Sequence, residues 1–254
     1  VIVRVEPGER QLTSPLGRTS PLLKLAVAIA WFVALFLTTA IAPPLVLAGL
    51  VLAAGLTLGR VPATTLVRSL AVLWGAALTI GVFNALFNAA NADPMIAELV
   101  RIGPFRLTEP ALAGGAGLAA RVVAIAAVGV VFAQTTDATR LVDALVQQGR
   151  VPERFAYGAL AAYQAIPRFA EDLATLRQAR RIRGLRGEWH PRILVGLLVL
   201  AIRHGDRLAL AMDARAFGSG SRSRYRIVRW GVPDVAVAVG SAAVLALLVV
   251  LAAG

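Results

Sequence analysis

Cysteine is absent from all 254 residues, which excludes disulfides and thiolate-held metals. Histidine is nearly absent too: His190 and His204 are too few for a metal cluster and read as surface or interfacial residues. Acidic residues are scarce, 14 against 26 Lys and Arg, which leaves a formal charge of +12. No Gly-x-x-x-x-Gly-Lys phosphate loop occurs, so the chain by itself is not expected to hydrolyse ATP, and no His-Glu-x-x-His signals a metalloprotease. The acidic pairs Asp137 with Asp143 and Glu171 with Asp172 read as solvated helix faces rather than catalytic dyads.

Apolar side chains, by contrast, make up 58% of the chain and charged ones only 16%, against the half and quarter usual in soluble domains. Lipid is therefore the expected solvent. An isoelectric point near 11.6 would suggest a nucleic-acid binder in a soluble chain, but the basic residues here are segregated from the apolar runs, and no nucleic-acid partner is expected. Five segments, 22–41, 43–59, 67–89, 111–133 and 232–253, approach the roughly 20 helical residues that cross a 30 Å hydrocarbon core. The first lacks a clear cleavage site and reads as a retained span. The second is the shortest, and Pro43-Pro44 make its junction with the first a tight hairpin.

Orientation follows from Lys and Arg, which resist translocation. With the N-terminus inside, 23 positive residues fall on the cytoplasmic side and only Arg101 and Arg106 outside, with Arg121 left within the fourth span. A charge at that depth is functional by default, and Arg121 reads equally as snorkelling or as facing a crevice under a partner. Asn84, Asn88 and Asn91 form a polar stripe at the outer end of the third span, more consistent with an interface than with a cargo path. Ala71, Gly75, Gly114 and Gly117 permit close helix packing.

The segment from Gln134 to Trp230 holds seventeen arginines and no clean span. Its pattern is nevertheless helical. Phe155, Ala159, Ala162, Ile166, Phe169, Leu173 and Leu176 recur at three- and four-residue steps, predicting an amphipathic helix with a bend at Pro167. A shorter helix is predicted over Thr136–Gln148, capped at Thr136, burying Leu141, Leu145 and Val146, and ended by Gly149. A third runs from Pro191 to Phe217, with an apolar first part too short to span. The predicted organisation is a four-span membrane domain over 1–133, a cytoplasmic domain of amphipathic helices over 134–230, which the resemblance named below makes the coupling helices, and a last transmembrane helix over 231–254. The fold class is an all-α integral membrane protein with about five transmembrane helices plus long amphipathic cytoplasmic helices.

Two of these helices end alike. One closes on Gln178-Ala179-Arg180-Arg181-Ile182-Arg183-Gly184, the other on Asp213-Ala214-Arg215-Ala216-Phe217-Gly218. Arginine supplies a planar five-donor fork, and glycine can adopt the left-handed conformation that ends a helix. A basic residue in the last turn followed by glycine is also what the helix dipole alone favours, so either motif by itself is an ordinary helix end as often as not. Their pairing in one cytoplasmic segment resembles the transmembrane (T) subunit of energy-coupling factor transporters, a branch of the ABC superfamily that includes the cobalt- and biotin-transporter T subunits. The resemblance covers roughly Ser14 to Val250. Supporting it are Ser20-Pro21-Leu22-Leu23-Lys24-Leu25, the Val151-Pro152 break and Ile166-Pro167-Arg168-Phe169. The second signature departs from the usual Ala-Arg-Gly-aromatic only at Ala216. The first can be read at Ala179-Arg180-Arg181 or at Arg183-Gly184.

The resemblance implies a non-catalytic coupling subunit in a prokaryotic cell membrane. Its partners would be two ATP-binding cassette ATPase subunits, which bind ATP and Mg, and a membrane-embedded substrate-binding S subunit. This chain would hold no cofactor of its own. Ala179, Arg180, Arg183, Gly184, Ala214, Arg215, Ala216 and Gly218 would be the ATPase-coupling residues, and the cargo a vitamin or transition metal chosen by the S subunit. An intramembrane enzyme would draw on Arg121, Asp93 and the cytoplasmic aspartates, but the spans lack paired catalytic groups. A membrane-anchored basic module would explain the charge and not the paired signatures.

Overall fold

The computed structural model describes residues 8–38, 40–93, 95–103, 105–185, 190–218, 220 and 226–253. It divides into two compact units, Val1–Leu141 with Arg229–Gly254, and Val142–Val228.

In the first unit two single-turn helices, α1 (Glu9–Leu12) and α2 (Pro15–Arg18), precede α3 (Pro21–Leu37), α4 (Ala42–Thr57), α5 (Ala63–Leu86), α6 (Glu109–Thr135) and the returning α10 (Val232–Ala253). Of these, α5, α6 and α10 are long and apolar enough to cross a membrane. With 17 and 16 residues, α3 and α4 reach only about 25 Å at 1.5 Å per residue. The first predicted span thus stops short of residue 41. Arg121 reaches across from the middle of α6 to donate from its guanidinium to the carbonyl of Thr38, the residue that ends α3. Positive charge at a helix C-terminus satisfies orphan carbonyls and the dipole together. For Arg121, read from the sequence as snorkelling or as facing a crevice under a partner, the contact shown is this one, to the end of α3.

The core is built around α6. Ala124 and Ala127 are fully buried, and Leu35, Leu47, Val51, Val128 and Leu248 close around them. The tightest packing is between α5 and α6. A Cβ on Gly115 would lie 2.5 Å from the carbonyl oxygen of Gly81, so only glycine lets the two backbones cross this closely. Outward faces are apolar, with Val72, Leu78, Phe83, Val235 and Val250 exposed as lipid-facing residues should be.

The loop between α5 and α6 contains an element the periodicity did not predict: a 3-10 turn over Ala89–Ala92 and an antiparallel hairpin, β1 (Glu98–Ile102) with β2 (Phe105–Thr108). Four-to-five-residue strands carry too little alternation to stand out beside apolar spans. Two asparagines of the stripe, Asn88 and Asn91, are engaged here. Asn91 donates through Nδ2 to the Ala85 carbonyl at 2.7 Å and accepts through Oδ1 from the Thr108 backbone N–H and hydroxyl at 3.1 and 3.0 Å, tying the end of α5 to the start of α6. Asn88 caps the 3-10 turn by accepting from Ala90 N–H.

Near the start of α3 lies a set of buried and half-buried polar side chains. Lys24 donates to the Thr135 carbonyl at 2.7 Å, Arg140 to the Gly17 carbonyl at 2.9 Å, and Asp234 accepts from the backbone N–H groups of Ser20 and Gly231 at 2.5 and 2.7 Å. Asp234 is only 3% exposed, so its charge is balanced by these donors rather than by water.

Candidate functional site: a helix hairpin with two matching ends

The second unit is built on α8 (Glu153–Ile182) and α9 (Pro191–Ala214), with the last turns of α7 (Ala138–Gln147), the helix in which the chain leaves the first unit. Asp137 caps α7, not Thr136: its carboxylate accepts from Arg140 N–H at 2.9 Å. At the far end the left-handed residue is Arg150, φ 55°, rather than Gly149. The side chains Leu141 and Leu145 are half-buried, while Asp143, Ala144 and Val146 are buried. Asp143 accepts from the Tyr157 hydroxyl at 2.8 Å, which accounts for a carboxylate on the inner face.

The helix α8 runs unbroken through Pro167. Its predicted apolar stripe holds only in the second half: Phe169, Leu173 and Leu176 are half-buried, but Phe155, Ala159, Ala162 and Ile166 are exposed, and Ala156 and Ala165 are buried instead. Small side chains make the first half pack on alanines, leaving the larger apolar groups outward.

The two helices pack antiparallel. Leu176 lies against Gly196, Phe169 meets His204 edge-on at 6.2 Å between ring centroids, and Tyr157 meets Phe217 at 6.4 Å. Arg154, in the first turn of α8, donates to the Gly218 carbonyl at 3.4 Å. A side chain on Gly218 (φ 79°) would collide with Arg154, its Cβ falling 2.4 Å from Nε. The end of α9 is therefore closed against the start of α8. The end of α8 lies near the start of α9, where His190 caps through Nδ1, accepting from Arg192 N–H at 3.1 Å. The two arginine signatures thus sit at opposite ends of the hairpin, about 35 Å apart for a helix of 24 residues.

Backbone geometry decides which residues correspond. Arg183 and Arg215 each occupy the cap position, with φ, ψ of −77°, 6° and −93°, 14°. The next residue in each case is left-handed: Gly184 at φ 69° and Ala216 at φ 53°. Gly184 N–H donates to Arg181 O and Leu185 N–H to Arg180 O; Ala216 N–H donates to Asp213 O and Phe217 N–H to Met212 O. Both ends are the same Schellman-type turn. Arg183-Gly184 therefore matches Arg215-Ala216, and Arg180 lies one turn earlier. Arg183 and Arg215 are both exposed, whereas Arg180 is half-buried, with an enclosed Nε that has no hydrogen-bond partner among the described residues. Ala179 is half-buried and Ala214 exposed. No group of three or more metal-ligating side chains occurs among the described residues.

The profile of the CbiQ family, described as cobalt transport protein, matches residues 13–227, which takes in both signatures and the whole hairpin. The chain belongs to this family. It is 29% identical over 254 residues to the energy-coupling factor transporter transmembrane protein EcfT of Heliobacterium modesticaldum, covering 93% of each chain. The corresponding protein of Bacillus subtilis is 26% identical, covering 98% of this chain and 96% of its own. A putative ABC transporter ATP-binding protein of Bifidobacterium longum is 27% identical over 188 residues, 66% of this chain but 24% of that longer protein. Membership makes the CbiQ-family chain described here a transmembrane component of an energy-coupling factor transporter, a membrane subunit and not a catalytic enzyme.

Proposed function

We propose that the chain couples ATP hydrolysis on two ATP-binding cassette subunits to movement of a membrane-embedded substrate-binding subunit, with Arg183 and Arg215 as its two contact points. The observation that carries this reading is the repetition of one helix-ending turn, with an exposed arginine at its cap, at both ends of the hairpin. Two equivalent keys about 35 Å apart suit a pair of equivalent partners. Each arginine offers a fork of donors to an acidic or carbonyl-lined groove, worth about 1.5–3 kcal/mol per charge-assisted bond. The similarity to a long ATP-binding protein over a quarter of its length supports a partnership with such ATPases. ATP and Mg would be held by those partners, and the cargo, a vitamin or transition metal, by the substrate-binding subunit.

The topology proposed with it places the N-terminus and residues 134–230 on the cytoplasmic side of the cell membrane, supported by 23 positive residues inside against two outside. Arg183→Ala, Arg215→Ala and the double variant test the coupling role, with Arg180→Ala as the comparison. Membrane abundance should be unchanged while ATPase co-purification falls by about 2–5 kcal/mol in affinity per site and uptake is lost in the double variant. Normal ATPase association and uptake in that variant would return both turns to ordinary helix ends.

A further inference from the structure

Between α4 and α5, on the outside of the helix bundle, lies an open cavity of about 500 Å³ lined by Leu52, Leu56, Leu66, Val67, Leu70 and Trp74. Its size is that of a ligand pocket, and its wall is almost entirely carbon. Arg60 stands in the turn between two cavity-lining residues, Leu56 and Ala63, and Arg68 follows Val67 on α5. Both arginines are exposed, and neither has an ion-pair partner among the described residues. Side chains on a helix tilt toward its N-terminus, so Arg68 leans toward the Arg60 end. At that same end α5 begins with no side-chain cap and no acidic residue in its first turn, leaving the positive end of its dipole open.

Arg60 adds an independent sign. Its φ is 51°, in the left-handed region, with Gly59 directly before it. A non-glycine residue there is strained by its Cβ, and glycine would relieve the turn. The side chain at this position thus opposes the local backbone preference.

We propose that this groove binds an anionic phospholipid, one acyl chain lying along Leu52, Leu66, Leu70 and Trp74 and the phosphate held between Arg60 and Arg68 at the mouth. Basic pockets between transmembrane helices on the cytoplasmic side are the recurring form of such sites. The inner-leaflet placement rests on the N-inside topology proposed above. The occupant is a lipid rather than a partner helix because two exposed arginines without an ion-pair partner among the described residues flank the lining residues of a carbon-walled slot in the sequence. That pairing matches a headgroup and tail, whereas a transmembrane helix would bring no anion to this depth.

Trp74 provides the probe. The purified full chain is reconstituted in symmetric vesicles containing phosphatidylglycerol or phosphatidylcholine brominated at mid-chain, and the Trp74 contribution is isolated by difference from Trp74→Phe. Quenching should show a roughly thirtyfold preference for the anionic lipid, the size expected of two arginine contacts near the surface at about 1 kcal/mol each. The preference should disappear in Arg60→Gly with Arg68→Gln, where glycine suits the left-handed turn and preserves the fold. Equal quenching by both lipids, or a preference that survives the double substitution, would overturn the proposal. So would loss of the quenching on assembly with the other transporter subunits, which would assign the groove to a protein helix. Symmetric vesicles make the readout independent of orientation. Failure of the topology would be seen separately, as labelling of Thr64→Cys by an impermeant reagent from outside intact cells.

Discussion

The end of the membrane bundle where α3 begins and the two ends of the α8–α9 hairpin use charge in opposite ways. In the bundle, Lys24, Arg140 and Asp234 are directed at backbone groups, each satisfying a carbonyl or N–H, with Lys24 and Asp234 buried and Arg140 half-buried. On the hairpin, Arg183 and Arg215 stand at exposed helix caps whose turns are closed by backbone hydrogen bonds. Buried charge of the first kind holds the fold, because removing one partner strands the other in a medium that cannot solvate it. Charge of the second kind stands exposed at the surface of the hairpin. Both connections to the second unit are fastened near one N-terminal turn: Arg140 to Gly17 before the hairpin, and Asp234 to Ser20 after it.

The comparison breaks most severely where the bundle has no slack. Gly115→Leu would drive a side chain into Gly81 and Ala85, and overpacking costs of about 1–3 kcal/mol or more should leave little folded protein, as judged by monodisperse yield after detergent extraction. Asp234→Ala should come next. It leaves the Ser20 and Gly231 N–H groups without their acceptor, and about 1.5–3 kcal/mol per bond to a charged group predicts a clear drop in the thermal midpoint. A midpoint shift as small as that of Arg215→Ala would erase the distinction between fastening and presenting charge.

Arg183→Ala and Arg215→Ala should each change stability by only about 0.3–1 kcal/mol, the worth of a cation at a helix C-terminus, whatever they do to partner binding. The smallest effects sharpen the match between the two turns. Ala216→Gly should stabilise the second unit by about 1 kcal/mol by relieving a left-handed alanine, and Gly184→Ala should destabilise it by a similar amount. Opposite signs in hydrogen-exchange protection of the last turns of α9 and α8 would support the equivalence of the two ends, and equal signs would contradict it.

Much of this was legible from residue order. Periodicity and apolar length are local properties, so the helices corresponding to α3–α6 and α8–α10 could be read directly, and both arginine signatures lay where composition and spacing put them. The paired left-handed turns were not legible, because the first signature offers Arg180, Arg181 and Arg183 in four positions and only dihedral angles say which one caps the helix. The stripe assigned to the first half of α8 was misplaced for a related reason. Alanine fits either side of a helix, so Ala156 and Ala165 turned inward while Phe155 and Ile166 stayed out.

The sequence by itself determined that this chain lives in lipid, that its positive charge is concentrated between the fourth and last apolar helices, and that two helices end on arginine. These are sums over composition and near-neighbour spacing, and no fold is needed to evaluate them. Tertiary structure alone decided that Arg121 on α6 donates to the carbonyl at the end of α3, that Asp234 bridges Ser20 and Gly231, and that Arg183 rather than Arg180 corresponds to Arg215. Each depends on where a carbonyl, an N–H or a left-handed residue falls in space, and such contacts join positions up to 214 residues apart that no local pattern relates.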